Sequence, residues 1–354
     1  MSGADADLVL EGGGVKGIAH MGAITTLEAH GYTFHRVAGA SAGSIAAAFT
    51  AACMKAGRKV INIEPLLWPG RQSDSIDYTK VPGGKLGVIG LEQVRESLGI
   101  LLQNGMFSGD YLRNWLHDTL KRETGVETFG DLRLDDSRAD LTDNQKYSLV
   151  VMVADISRGS LVRLPWDYPL YNLNPDEQFV ADAVLASASI PFFFQPARLR
   201  WGEPSGDVSY LVDGGSCSNF PVEVFDRLDN RAPRWPTFGV KLSARALPGS
   251  LLNKVDGPLS FALALLETVV SGNDNVHLAD PCVCNRTIFV DTSAVRATNF
   301  DLTRDEEKQL FTQGQQAASD FLAGWNWDAY KSRCATDPAR IARARAARGP
   351  SAVR

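Results

Sequence analysis

Ser41 and Asp213 have the residue types and the surroundings that catalysis needs. Ser41 lies in Gly39-Ala40-Ser41-Ala42-Gly43, a Gly-x-Ser-x-Gly pattern between an apolar stretch and a run of small residues. The pattern is typical of a nucleophile elbow, a strained turn between strand and helix that exposes the serine hydroxyl. Asp213 begins Asp213-Gly214-Gly215 after a short apolar run. The pair predicts attack by the serine on an acyl carbon, with the carboxylate as base and no histidine.

A glycine-rich segment near the start of the chain supplies donors for the oxyanion of such a reaction. It follows the apolar run 8–11 and precedes an amphipathic stretch, which predicts strand, loop and helix. In a parallel sheet this loop would lie beside the elbow. The NH groups of the loop and the amino terminus of the helix that follows the elbow would then form an oxyanion hole. We expect the donors to be Gly12, Gly13, Gly14 and Ala42. Residues in supporting roles are Lys16, Gly17, Gly39, Gly43, Gly214 and Gly215.

The same loop satisfies Gly-x-Gly-x-x-Gly from Gly12 to Gly17, which is also the fingerprint of a dinucleotide-binding oxidoreductase. That class needs an acidic residue for the ribose about 20 positions further on. No Asp or Glu occurs between Glu28 and Glu64. We therefore rank the oxidoreductase well below the hydrolase.

A histidine base is the other alternative for the serine. Of the five histidines, only His117 and His277 follow Ser41, and His277 is the credible member of an ordinary triad. Its segment is typical of the polar end of a helix rather than of a strand-end loop. A surface histidine explains that setting better. For Asp213 the alternative is a turn aspartate without a catalytic role, but its position at the end of a strand, before two glycines, favours the catalytic role.

Alternating strand and helix patterns surround these segments and predict an α/β protein. Residues 146–156 form an apolar run suited to a central buried strand, and 180–189, 210–212 and 236–242 continue the alternation. Helices are expected at 91–103 and 110–122, and after a capping box at Thr303 and Glu306 that marks the last clear element. Residues 62–90 are expected to form an irregular, lid-like insertion.

In these features the sequence resembles the patatin-like phospholipases, whose motifs are a glycine-rich oxyanion loop, a Gly-x-Ser-x-Gly elbow and Asp-Gly-Gly. Further similarity lies at 128–132, at 186–191 with Phe194 and Pro196, and at Asn219 and Pro221. The resemblance covers about 7–300. It implies a three-layer α/β/α sandwich with a central, mostly parallel sheet, and a Ser41–Asp213 dyad that forms an acyl-enzyme without a cofactor. The family usually carries Arg where this chain has Lys16.

The resemblance also implies the substrate: phospholipids, lysophospholipids or related lipids at a membrane or micelle surface. A non-catalytic lipid-binding or partner-binding module on the same fold is an alternative function of a different class. No residue pattern specifies a protein activator.

Composition limits the remaining classes. The 354 residues are 44% hydrophobic with a net charge of −5, which indicates a globular chain and argues against nucleic-acid binding. No apolar run reaches the ~18 residues of a membrane-spanning helix, and residues 1–7 lack a secretory signal pattern. We expect a cytoplasmic protein that can associate peripherally with membranes; an effector exported without a signal would have the same features.

The domain boundaries and the cysteines complete the expectations. We predict one acyl hydrolase domain over 1–325 and a basic, loosely ordered tail over 326–354 that could attract anionic lipid. The cysteines are odd in number and have no metal-site spacing, so we expect unpaired thiols and no metal. They are Cys53, Cys217, Cys282, Cys284 and Cys334.

Overall fold

The computed structural model describes most of the chain. The described residues are 4–63, 66, 75–77, 80, 109–136, 141–201, 206–229, 231–242, 261, 268, 280–297, 299, 301–335 and 338–349. The helix expected at 91–103 and His277 lie outside them. So does most of the insertion expected at 62–90.

Within the described residues, eight strands form one mixed sheet in the order β5-β6-β3-β2-β1-β7-β8, with β4 also paired to β3. The strands are β1 (Ala4–Leu10), β2 (Tyr32–Ala40), β3 (Leu149–Asp155), β4 (Ser160–Leu164), β5 (Ala197–Trp201), β6 (Asp207–Asp213), β7 (Thr237–Lys241) and β8 (Thr287–Phe289).

The sheet has a parallel part and an antiparallel edge. Strands β3, β2, β1, β7 and β8 run parallel to one another. The hairpin of β5 and β6 runs antiparallel to β3, and β4 pairs antiparallel with the same strand. Every residue of β3 is buried, because this strand has neighbours in the sheet and helices packed against it.

Helices flank the sheet in two groups of contacting elements. Helix α1 packs on α6, and α2 contacts α3 and α4. Their bounds are α1 (Ile18–Ala29), α2 (Ala42–Lys55), α3 (Asp110–Thr124), α4 (Val180–Ala188), α5 (Pro281–Cys284), α6 (Arg304–Gly324), α7 (Trp327–Cys334) and α8 (Pro338–Arg348). Among the described residues, no helix combines the length and apolarity needed to cross a membrane.

Glycines on α1 and α6 explain how closely these two helices approach. A Cβ added to Gly22 would lie 2.0 Å from the carbonyl oxygen of Phe311. A Cβ added to Gly314 would lie 2.0 Å from that of Ala19. Side chains at these positions would force the backbones apart.

The expected fold class, an α/β/α sandwich with a central and mostly parallel sheet, is confirmed. The capping box of α6 is present, since the hydroxyl of Thr303 accepts from the NH of Glu306 and the carboxylate of Glu306 accepts from Thr303.

The C-terminal region differs from the loosely ordered tail expected after residue 326. Helices α7 and α8 follow α6, and two of their arginines are buried. Arg340 donates to the carbonyl oxygen of Arg227 at 2.9 Å, and Arg348 donates to that of Asp226 at 2.6 Å. These two arginines thus bond to the protein's own backbone, which the local excess of Lys and Arg did not indicate.

The expectation of unpaired thiols was wrong for two of the five cysteines. Cys282, in α5, forms a disulfide with Cys334, at the end of α7. Within the described residues, Cys53, Cys217 and Cys284 take part in no disulfide. The bonded pair is 52 residues apart in sequence, so its spacing carried no signal of pairing.

Candidate active site

Ser41 occupies a sharp turn between β2 and α2. Strand β2 ends at Ala40, helix α2 begins at Ala42, and the φ of Ser41 is +50°, a value that side-chain-bearing residues seldom adopt. The flanking glycines permit the turn. A Cβ on Gly39 would lie 2.2 Å from the Gly43 carbonyl oxygen, and one on Gly43 would lie 2.3 Å from that of Leu10. The turn therefore requires glycine at both positions.

Asp213 meets Ser41 directly. It is the last residue of β6, and its Oδ2 accepts a hydrogen bond from the Ser41 hydroxyl at 2.6 Å. Its Oδ1 accepts from the backbone NH of Gly215 at 2.8 Å. Gly214 lies against β3, where a Cβ would come within 2.0 Å of the Met152 carbonyl oxygen. The two glycines thus let the chain turn closely enough to orient the carboxylate.

Burial dominates the electrostatics of the pair. Ser41 is 5% exposed and Asp213 is 6% exposed. Removal from water raises the pKa of Asp213 to about 6, while the hydrogen bonds from Ser41 and Gly215 partly oppose the rise. At neutral pH the group is therefore an ionised carboxylate with a higher proton affinity than an exposed aspartate, as a general base requires.

The end of helix α4 holds both residues in place. The Ser187 hydroxyl accepts from the backbone NH of Ser41 at 2.9 Å and donates to the carbonyl oxygen of Met152 at 2.6 Å. Two residues later, the carbonyl oxygen of Ser189 accepts from the backbone NH of Asp213 at 2.9 Å. The carboxyl end of α4 thus contacts both the turn that carries Ser41 and the end of β6 that carries Asp213.

The glycine loop lies beside the serine, as expected. The Cβ of Ser41 is 2.9 Å from the position that a Cβ on Gly12 would take. The Gly12 NH donates to the carbonyl oxygen of Asn219 at 3.3 Å, and the Asn219 side chain donates back to the Gly12 carbonyl at 3.1 Å. This reciprocal pair of hydrogen bonds joins the glycine loop to the segment after Asp213. Because the Gly12 NH already donates to Asn219, it is not available to an oxyanion.

The other loop donors divide into two sets. The NH groups of Val15 and Lys16 donate to the carbonyl oxygens of Ala297 and Gly13. Those of Gly13 and Gly14 have no such bond within the described residues, and the Ala42 NH is at the first position of α2, where no intrahelical acceptor exists. The donors available for an oxyanion are therefore Gly13, Gly14 and Ala42.

Gly14 and Gly17 are constrained by their neighbours. Gly14 has a φ of +57°, and a Cβ there would lie 2.0 Å from the Ala297 carbonyl oxygen. A Cβ on Gly17 would lie 3.0 Å from the Cβ of Ala42. Lys16, in the same turn, is half-buried; the pKa of Asp291 is lowered mainly by hydrogen bonds from Ser293 and to a smaller extent by the charge of Lys16. The Lys16 side chain thus adds positive charge near the loop.

The start of the loop is fixed by a buried polar cluster that sequence reasoning missed. The Glu11 carboxylate accepts from the Lys241 ammonium and from the backbone NH of Leu242. The ring of His20 lies 2.7 Å from the Glu11 carbonyl oxygen, and burial lowers the pKa of His20 to about 4. His20 is therefore neutral, and its Nε2–H donates to Glu11. These contacts hold the residue immediately before Gly12.

Asp155, the second strand-end carboxylate near the site, has a structural setting. It accepts from the Tyr171 hydroxyl at 2.7 Å and from the NH groups of Ser157 and Arg158. These contacts tie the Asp155 carboxylate to the turn that follows β3 and to Tyr171. Among the described residues, no group of three or more His, Cys, Asp or Glu side chains is arranged to hold a metal ion.

A serine on a strand–helix turn, hydrogen-bonded to a buried aspartate in an α/β sheet, defines the arrangement of a serine hydrolase. The profile of the Patatin-like phospholipase family matches residues 8–226. The uncharacterized protein YqhO of Bacillus subtilis (strain 168) is 35% identical over 321 residues, which are 91% of this chain and 99% of YqhO. The chain therefore belongs to the patatin-like phospholipase family, and its general activity is that of a lipid acyl hydrolase.

Solved structures are also similar to this chain. VipD from Legionella pneumophila aligns with a TM-score of 0.48 and 20% identity, over 91% of this chain and 67% of VipD. ExoU, in its complex with SpcU from the type III secretion system of Pseudomonas aeruginosa, aligns with a TM-score of 0.43 and 18% identity, over 94% of this chain and 52% of ExoU.

Proposed function

We propose that this protein is a serine esterase that hydrolyses acyl ester bonds of phospholipids, lysophospholipids or related lipids through an acyl-enzyme on Ser41. The observation that carries the proposal is the 2.6 Å hydrogen bond between the Ser41 hydroxyl and Oδ2 of Asp213. At this distance a proton can pass from the hydroxyl to the carboxylate as the serine oxygen attacks.

The first half of the reaction forms the acyl-enzyme. The Ser41 oxygen bonds to the ester carbonyl carbon while its proton moves to Asp213. The carbonyl oxygen becomes an oxyanion, which the NH groups of Ala42 and of Gly13 or Gly14 are placed to stabilise; one such donor contributes about 10²–10³ in rate. The tetrahedral intermediate then collapses, and the alcohol leaves with the proton held by Asp213.

The second half releases the acyl group as a carboxylic acid. Asp213, again ionised, takes a proton from a water molecule, whose oxygen attacks the acyl carbon. Collapse of the second tetrahedral intermediate breaks the bond to the Ser41 oxygen, and the proton on Asp213 returns to the serine. Every proton movement in the cycle uses the one carboxylate, so a third residue is not required.

The test is chemical labelling combined with substitution. We expect a fluorophosphonate probe to label the wild-type protein on Ser41, and Ser41→Ala and Asp213→Asn each to abolish turnover of a short-chain nitrophenyl ester while remaining folded. Asp207→Asn is the matched control, because Asp207 begins the same strand, β6, and is exposed. Full activity in Asp213→Asn would refute the dyad.

Absence of labelling in folded wild-type protein would instead favour a non-catalytic lipid-binding or partner-binding module. For the active enzyme, incubation with a mixed lipid extract, followed by mass spectrometry of the released products, identifies the head group and the bond cleaved. A rise in activity when a lysophospholipid is taken through its micelle-forming concentration would support action at a lipid surface. A smooth curve through that concentration would count against it.

A further inference from the structure

A small cavity lies at the opposite end of the parallel strands from the dyad. Its wall includes Asp7, within β1, and Thr237, the first residue of β7. It also includes Arg36, which precedes Ser41 by five residues of extended β2, or about 16 Å. The cavity is therefore separate from the site of the acyl-transfer chemistry, and nothing that follows depends on that chemistry.

The charge of the cavity lining is predominantly positive. Its two carboxylates belong to Asp7 and Asp226, and each is paired with an arginine. Asp7 bonds to Arg36, and Asp226 accepts from both terminal nitrogens of Arg286 at 2.5 and 2.7 Å. The five arginines of the lining are Arg36, Arg227, Arg234, Arg286 and Arg340.

Two further arginines of the lining form ion pairs with aspartates that are not part of the lining. Arg227 pairs with Asp229, and Arg234 pairs with Asp136. Neither of these aspartates lines the cavity. The arginines of both ion pairs thus line the cavity, whereas the aspartates lie outside the lining.

Arg340, on α8, differs from the other four arginines of the lining because no described carboxylate pairs with it. Its terminal nitrogens donate to the carbonyl oxygens of Arg227 and Asp229 at 2.9 and 3.4 Å, and the residue is 6% exposed. Within the described part of the chain, no carboxylate oxygen lies within 4.0 Å of its guanidinium nitrogens, and its Nε has no hydrogen-bond partner. The Nε of Arg286 is likewise buried without a partner. A buried guanidinium in this state is stabilised by an anion.

The shape of the cavity selects the class of anion. The cavity has a volume of about 30 Å³. This is enough for one phosphoryl group and too little for an acyl chain. Arginine nitrogens match the spacing of phosphate oxygens, and the rings of Trp235 and Trp327 form part of the wall. We propose that this cavity binds a phosphoryl group, carried by a small phosphate compound or by a lipid headgroup.

Occupation of the site would join parts of the chain that are distant in sequence. Arg340 belongs to α8 and Arg286 follows α5, whereas Arg36 belongs to β2 in the sheet. A phosphoryl group held between them would tie the C-terminal helices to the sheet. Ligand binding to the folded state alone raises its stability.

The first test uses the full-length wild-type protein and inorganic phosphate at constant ionic strength, balanced with sodium chloride. Tryptophan fluorescence reports binding, because Trp235 and Trp327 line the cavity. We expect a saturable change and a melting temperature that rises with phosphate concentration. Failure of the wild-type signal to saturate, or no shift in melting beyond that given by chloride, would overturn the proposal whatever the variants do.

The variants locate the site. Arg340→Gln should weaken phosphate binding about tenfold or more, the effect of losing a charge-assisted hydrogen bond. Arg345→Gln is the matched control, because Arg345 lies on the same helix, is exposed and undergoes the same change of charge. Equal affinity in the two variants would overturn the assignment of Arg340.

Two further arms distinguish the sources of the phosphoryl group. Glycerol 3-phosphate replaces phosphate in the fluorescence titration, and vesicles of phosphatidylcholine with a minority of phosphatidic acid are used for co-sedimentation. Binding of the soluble ester that Arg340→Gln weakens indicates a small phosphate compound. Co-sedimentation that is lost in Arg340→Gln and retained in Arg345→Gln indicates a lipid headgroup. If Arg340→Gln weakens binding neither to glycerol 3-phosphate nor to the vesicles, the assignment of the phosphoryl site to this cavity is contradicted.

Discussion

The Ser41 hydroxyl and the Asp213 carboxylate are in direct contact at 2.6 Å in a site from which water is largely excluded. Burial raises the pKa of Asp213 to about 6. Since the base must be ionised, we expect kcat/KM to fall about tenfold per pH unit below pH 6 and to level off above it. The pH profile of a soluble nitrophenyl ester checks this. An activity that stays constant between pH 4 and 6 would contradict the assignment of the base.

The same pKa predicts a cost in stability. The folded pKa is raised above the ordinary 3.8, so ionisation favours the unfolded chain as pH rises from about 4 to 6. Asp213→Asn carries no charge, and we expect it to be more stable than the wild type by up to about 3 kcal/mol at pH 8, with no difference below pH 4. Urea unfolding at both pH values measures the gain. An equal gain at both would exclude ionisation as its cause.

Ser187 and Ser189 offer a matched pair on one helix end. Ser187→Ala leaves the Ser41 NH and the Met152 carbonyl without their partner, and we expect a loss of about 1–3 kcal/mol in unfolding free energy. We also expect kcat to fall about tenfold as the nucleophile loses its alignment. The Ser189 hydroxyl donates to the carbonyl oxygen of Leu185, one turn earlier in α4, so Ser189→Ala should stay close to the wild type. Comparable losses of kcat in both variants would argue against a specific role for Ser187.

Gly43 tests the close approach of α2 to β1. In Gly43→Ala the new Cβ would lie 2.3 Å from the Leu10 carbonyl oxygen and 2.6 Å from that of Glu11, and we expect a loss of about 3 kcal/mol or more. Gly324→Ala is the control, because nothing described lies within 4 Å of a Cβ at this helix end. Its melting temperature should equal or exceed that of the wild type. A normally stable Gly43→Ala protein would show that the turn can open.

The disulfide between Cys282 and Cys334 predicts a redox-dependent stability. The two cysteines are 52 residues apart in sequence. The entropy that the unfolded chain loses when a loop of this length is closed corresponds to about 4 kcal/mol in the free energy of unfolding. We expect a reductant to lower the melting temperature of the wild type and to leave Cys282→Ser unchanged. Cys284→Ser, which replaces a cysteine that lies two residues from Cys282 and outside the disulfide, should respond to the reductant as the wild type does. Identical melting of the wild type with and without reductant would contradict the bond.

The sequence predicted those parts of the site that depend on local patterns. The elbow around Ser41 and the strand end at Asp213 each need glycine at defined positions, and such requirements are visible in a few consecutive residues. The alternation of strands and helices likewise follows from apolar periodicity, which is why the fold class could be predicted.

The contacts that hold these parts together were not visible in the sequence. Ser187 and Asn219 lie in segments that the family resemblance had marked, but their partners, Ser41 and Gly12, are more than 140 residues away. The cluster around Glu11 depends on Lys241, 230 positions along the chain. Glu11 had been included only as the end of an apolar run, because a carboxylate gives no local sign of its distant counter-ion.

The C-terminal helices illustrate a different limit. An excess of arginine predicted a solvated tail, yet Arg340 and Arg348 donate to the backbone carbonyl oxygens of Arg227 and Asp226. Carbonyl acceptors are present at every residue, so composition cannot indicate which of them a guanidinium will meet.

The antiparallel pairing of β6 with β3 has a consequence for how the enzyme matures. Val153 lies opposite Asp213 in this ladder, and side chains of a strand point to alternate faces. A slip of one position would turn the carboxylate to the far side of the sheet and bring Val212 towards the serine. A chain misaligned in this way would keep its apolar interior but lack the proposed base, so the onset of turnover during refolding would report when this edge hairpin has found its correct alignment.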